Sequence, residues 1–249
     1  MPRIFIILGL ATLLMFGGMY CQYREQQNEQ QALDIYQTVL LEKAELIYSQ
    51  ARDWSKPIQV DISDPRLTGD YKIMADFVLS HMIQNAEARN TYLRELKALG
   101  WDQFLNINRL EKDKKQNYTE TENMLKQAHI LAEQFRLQTQ QREQNAVDQA
   151  KHLGINARYR HQLAENMKAS LKQDEALVMF EIEMQILSKA DAIFAVLKNN
   201  KWEKKKNTFM FYEDKPLQQF NALYKEVLAL TAQLEQVKKQ NRREVEQKL

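Results

Sequence analysis

Cysteine occurs once in the 249 residues, at Cys21, and this excludes an internal disulfide framework. Glycine occurs six times and proline four. Beyond residue 22 only Gly69, Gly100, Gly154, Pro57, Pro65 and Pro216 remain. Glycines that sparse cannot build a phosphate cradle, and neither a Walker loop, a G-x-G-x-x-G turn nor a G-x-S-x-G elbow is present. Charge of one sign is also lacking. Lys and Arg number 35 against 33 Asp and Glu, a net charge of +2, and without Arg3 the rest carries +1. No bulk field draws the chain to nucleic acid. Histidine occurs four times, and the residues three before His81, His129, His152 and His161 are Val78, Lys126, Gln149 and Arg158. Neither Glu-x-x-His nor HExxH therefore exists, and no metal or cofactor is expected.

One long apolar run is present. Ile4–Tyr20 carries no charge, and Arg3 precedes it. A spanning helix needs about 20 mainly apolar residues, so the run meets the lower limit, with Ile4, Phe5, Ile6, Ile7, Leu8, Leu10, Leu13, Leu14 and Phe16 as its anchor residues. It also fits a secretory signal, although Phe16 and Met19 spoil the small-residue spacing a cleavage site needs. Cys21 is a candidate lipidation site, because bacterial lipoproteins carry their modified cysteine just past such a run. Gly18 and Tyr20 stand where those signals place Leu and a small residue. Tyr20 obstructs the peptidase, so an uncleaved anchor is the expectation. A very short N-terminal tail stays cytoplasmic in such anchors, which puts the bulk of the chain in a bacterial periplasm, tethered to the inner membrane.

The rest reads as helix. Abundant Gln, Glu, Lys, Leu and Ala with few breakers predict long helices, so the fold class is all-α: segment 1–22 as anchor, then 23–249 as an elongated antiparallel bundle of four to five long helices. Leu33, Tyr36, Leu40, Ala44, Ile47, Ala51 and Trp54 form one stripe before Pro57. Ile58, Val60 and Ile62 alternate and are expected to tuck against the bundle rather than form a strand. Asp70 can cap a second helix, Tyr71 to about Leu99, with the stripe Met74, Val78, Met82, Ala86, and Gly100 as its stop. Trp101, Phe104, Leu105, Ile107 and Leu110 make an aromatic-aliphatic corner. A third helix is expected from about Leu110 through Leu153, with Gln138–Asn145 solvated or frayed. Ala157–Leu171 and Asp174–Lys198 follow, the latter being the most apolar of the helices. A short extended segment is expected near 207–213. The last helix carries Phe220, Leu223, Val227, Leu230, Leu234 and Val237, spaced alternately three and four apart, which is coiled-coil spacing.

Candidate chemistry is sparse. Glu181 and Glu183 lie two apart on a helix and project differently, so they make no acid–base pair. Basic runs stand at Lys112–Lys115, Lys201–Lys206 and Lys238–Arg243. The second interleaves with aromatics, which nominates Trp202, Lys204, Lys205, Lys206, Phe209 and Phe211 as a contact for a partner or for anionic lipid. The plainer reading makes it a solvated loop with its rings turned to the core.

The export segment ending at Cys21, the Gly69-Asp70-Tyr71 helix start, Phe209-x-Phe211 and Phe220-Asn221-Ala222-Leu223 together resemble a family of uncharacterised enterobacterial lipoproteins, known as a domain of unknown function. The resemblance implies an envelope location and no catalytic residues, and Tyr20 departs from the family pattern. The function expected is a non-enzymatic, membrane-tethered periplasmic protein that binds a protein partner or itself through the C-terminal heptad helix, without nucleic acid. Alternatives are an immunity or inhibitor protein against a periplasmic toxin, and a ligand-sensing bundle acting with a separate membrane partner.

Overall fold

The computed structural model describes residues 26–171 and 175–248. The expected anchor Ile4–Tyr20, the remainder of segment 1–22 and Cys21 lie outside the described residues. Among the described residues, no helix is long and apolar enough to cross a membrane. The elements in order are α1 (Gln26–Ala51), α2 (Gly69–Ala98), a 3-10 turn (Trp101–Gln103), α3 (Ile107–Lys114), α4 (Thr119–Ala150), α5 (Ala157–Leu171), α6 (Glu175–Asn199), β1 (Trp202–Lys205), β2 (Thr208–Phe211) and α7 (Asp214–Lys248). The chain is mostly helical, and the extended segment near its end is a two-stranded antiparallel hairpin.

Two compact units divide the chain. One takes it to Thr91, then Arg136–Ala176 and Lys238 onward; the other holds Tyr92–Phe135 and Leu177–Val237. In the first unit, Leu33, Tyr36, Leu40, Ala44, Ile47 and Ala51 of α1 are buried against Met74, Val78, Met82 and Ala86 of α2. Ala146, Val147 and Ala150 of α4 and Leu163, Ala164 and Met167 of α5 complete that core. Fully burying a large apolar side chain contributes about 1.5–3 kcal/mol relative to exposure, so each helix is held chiefly by its stripe.

No strand forms at 57–63. Ile58, Val60 and Ile62 are half-buried against the first core, and side chains serve their backbone. Gln50 Oε1 accepts from Gln59 N at 2.7 Å while Gln50 Nε2 donates to Gln59 O at 3.0 Å. Glu87 accepts from Ile58 N at 3.0 Å, and Lys43 donates to Asp61 O at 2.8 Å. An extended loop can lie on a core only when its polar backbone is matched in this way.

In the second unit the core gathers Tyr92, Phe104, Leu110, Met124, Leu125 and Ala128 with Phe180, Ala190, Ile193, Phe194, Leu197, Trp202 and Phe220.

Two expectations on helix boundaries need correction. The helix expected from Leu110 through Leu153 is two helices, broken where Asn117 (φ 56) and Tyr118 (φ 61) turn left-handed. Asp113 drives the break. Its buried carboxylate accepts from Glu120 N at 3.0 Å, and from Thr121 N at 2.8 Å and Thr121 Oγ1 at 2.6 Å, so it caps α4 from the preceding helix. Gln138–Asn145 is not frayed, since α4 runs through it, and Thr139, Arg142 and Glu143 within it are half-buried. Asp70, expected to cap α2, accepts instead from Asn156 N at 2.8 Å at the start of α5. Gly100 ends α2 as expected, at φ 79, a conformation that glycine adopts without strain.

Candidate interaction surface

Trp202 opens β1, and its neighbours fix the hairpin on the second unit. Trp202 is 1% exposed. Its Nε1 donates to Tyr118 Oη at 2.8 Å and to Leu197 O at 3.0 Å, while Tyr118 Oη donates to Leu197 O at 3.1 Å. The indole's polar edge is thereby satisfied, as a buried tryptophan requires. Burial raises the Tyr118 phenol above its ordinary pKa, against the opposing donation from Trp202, so it stays a neutral donor. Phe209 meets Trp202 edge-on at 5.1 Å between ring centres and Phe220 at 5.1 Å, and Phe211 lies 5.6 Å from Phe220.

The strands pair Trp202 with Phe211, Glu203 with Met210, Lys204 with Phe209 and Lys205 with Thr208. Alternation therefore turns Trp202, Lys204, Phe209 and Phe211 to one face and Glu203, Lys205, Thr208 and Met210 to the other. The two-residue loop is Lys206 (φ 47) and Asn207 (φ 63), both left-handed as a type I′ hairpin turn requires.

The residues nominated from the sequence thus separate. Trp202 is spent inside the core, and Phe209 and Phe211 are half-buried on it. Lys204, Lys205 and Lys206 are exposed. The rings pack on the core and Lys205 and Lys206 face water, while Lys204, on the ring side of the hairpin, reaches Asn108 of α3.

What sequence reading missed is a convergence. Lys114, at the end of α3, donates to Trp202 O and lies 4.7 Å from the centre of the Trp202 ring. Lys204 donates to Asn108 Oδ1 and lies 3.9 Å from Glu111, both on α3. The lysine runs 112–115 and 201–206, far apart in the chain, are neighbours in space. No local pattern signals this, because the contact is made by long-range packing of α3 on β1.

In α7, Phe220 is buried, and Leu223 and Val227 pack on the second core. Leu230, Leu234 and Val237 continue the same register half-buried and belong to neither core cluster. Beside them Leu228 is 52% exposed.

Other candidates are weaker. A pocket of about 240 Å³ in the first unit is lined by Gln31 and Ile35 of α1, Arg66–Thr68 and Tyr71 of α2. Its cation is already matched, since Arg66 pairs with Glu42 and with Asp64 at 2.8 Å and holds the Asp64 carboxyl down at about 2. Near it Tyr71 Oη lies 3.4 Å from Tyr159 Oη, which donates to Glu29 at 2.6 Å. His129 pairs with Asp191 at 2.8 Å, while His152 and His161 are exposed. Glu181 is exposed and Glu183 half-buried. Among the described residues no His, Cys, Asp and Glu side chains gather as a metal site would need.

No family model, curated protein or solved structure matches the chain.

Proposed function

We propose that this chain is a non-enzymatic envelope protein, tethered in a bacterial inner membrane through Ile4–Tyr20 with its helical part in the periplasm. In this reading it binds a protein partner through the later turns of α7. The observation that carries the reading is the heptad stripe of that helix. Its early members, Phe220, Leu223 and Val227, serve the second core, whereas Leu230, Leu234 and Val237, half-buried, keep the spacing and join neither core cluster among the described residues. A coiled-coil seam of this kind offers knobs to a facing helix. The partner is another protein or a second copy of the chain, and a periplasmic toxin neutralised by it is one version.

A photo-crosslinking residue at Leu228 or Leu234, in the full chain in native membranes, tests the reading. Adducts heavier than the single chain are expected, and mass spectrometry distinguishes self from foreign adducts. Yields confined to the single chain at both positions would sink it.

The 240 Å³ pocket favours a second reading, a ligand-sensing bundle with a separate membrane partner. A pocket near the lower end of the range for small-molecule sites, with its arginine already paired, supports it less well. Substituting Ile35→Trp would fill the pocket, and partner adducts unchanged by that substitution count against sensing.

A further inference from the structure

We propose that the hairpin and α3, which lie side by side with Lys114 at the base of β1 and Asn108 toward the turn, form one surface that binds the anionic headgroups of a phospholipid bilayer. This contact goes beyond the tether, because the folded chain makes it without using the anchor. Lys114 and Lys204 are internal ties between α3 and the hairpin, as their contacts to Trp202, Asn108 and Glu111 show. Around them Lys112, Lys115, Lys201, Lys205 and Lys206 are exposed and form no ion pair among the described residues. Three acids lie nearby, and of these Glu203 keeps its charge on the face of Lys205. Asp113 caps α4, Glu111 faces Lys204, and Glu203 accepts from Tyr212 Oη at 3.1 Å. Glu213 and Asp214 follow at the end of β2 away from the turn, so the tip from Lys204 to Lys206 is cationic throughout.

The type of cation favours lipid. Carboxylates or phosphates held in fixed geometry are matched by arginine forks, and the one arginine of α3, Arg109, points inward to Phe104 O at 2.6 Å, Gln103 O at 3.0 Å and Thr121 Oγ1 at 3.0 Å. Lysines on flexible stems suit a diffuse anionic layer, each strengthening partition roughly fivefold. The outward side of the hairpin adds what a purely electrostatic patch lacks. Met210 is 41% exposed and Tyr212 68% exposed, a pairing of an apolar chain with a ring that favours the headgroup level.

The test is lysine footprinting of the full chain with a water-soluble acetylating reagent, on vesicles of phosphatidylcholine alone and of phosphatidylcholine with phosphatidylglycerol. On the anionic vesicles Lys112, Lys115, Lys205 and Lys206 are expected to label several-fold more slowly, with Lys56 unchanged and the protection lost at high salt. The double variant K112E/K205E should weaken partition at least ~25-fold, two lysines at about fivefold each, and so remove protection from Lys115 and Lys206. A second variant, K115E/K201E, guards against a local folding fault and should act likewise. Equal labelling on the two vesicle types would overturn the proposal, as would protection that survives both variants. Protection by polyglutamate but not by anionic vesicles would assign the surface to an acidic protein instead. Failure of the tether shows separately, as loss of flotation with neutral vesicles.

Discussion

His81 is neutral in the native chain, because burial and the Arg142 charge lower its pKa from 6.5 to about 4. Arg142 Nε donates to Asn85 Oδ1 at 3.2 Å, so Asn85 Nδ2, 2.9 Å from His81 Nε2, is the donor of that pair and Nε2 the bare nitrogen. Above pH 6.5 both folded and unfolded histidine are neutral, and stability does not depend on this group. Between 6.5 and about 4 only the unfolded chain takes up the proton, so stability falls with decreasing pH and levels off below 4. The loss is at most about 3 kcal/mol, and denaturant midpoints across that window should show it, with His81→Gln flattening the profile. Asp113 is the second residue whose loss should be felt. Asp113→Ala strands Glu120 N and Thr121 N, while Arg109 keeps Glu120 at 3.2 Å, and should lower stability by about 2 kcal/mol, with Asp113→Asn milder because one oxygen still accepts. Asn90 works the other way. Its amide is fully buried and has no hydrogen-bond partner among the described residues. Asn90→Leu should raise the unfolding free energy by about 1–2 kcal/mol, read from denaturant midpoints, because it removes a buried unsatisfied amide.

Among the elements, the stripes of α1, α2 and α6 were legible. Leu33 to Ala51, Met74 to Ala86 and Ile182 to Leu197 recur at helical spacing, and a helix packed along one side buries that spacing. The division of α3 from α4 was not legible, since Gln116-Asn117-Tyr118 holds no proline or glycine and the break depends on Asp113 reaching seven positions onward. The hairpin was half-legible. Its alternation of aromatics is a strand signal, whereas Lys206-Asn207 is an unusual filling for a turn that favours Asn-Gly. Replacing the pair by Asn-Gly should slow hydrogen exchange in β1 and β2 and stabilise them by about 0.5–1 kcal/mol, while Asn207→Val, β-branched at φ 63, should speed it.

For the whole molecule, the tether makes the most direct prediction. Intact mass of membrane-extracted protein should include the proposed anchor Ile4–Tyr20, uncleaved, and carry no lipid on Cys21. A mass ending at a diacylated Cys21 would transfer the tether from helix to lipid, and a mass lacking residues 1–21 with no added lipid would remove it. Deleting Ile4–Phe16 should move the chain from the carbonate-resistant pellet to the supernatant. The proposed tether rests on Ile4–Tyr20, an uncharged run that meets the lower length limit for a span.

The helical class and the buried faces were determined by the sequence itself, since helix formers without breakers and a 3.6-residue period act locally. Which charges stand together was decided only by the tertiary structure. Docking of α3 on β1 satisfies Lys114 and Lys204 on Trp202, Asn108 and Glu111, and so sets two distant lysine runs side by side. No rule of spacing contains that contact, because it depends on Asp113 ending one helix and Trp202 finding Tyr118 in the core.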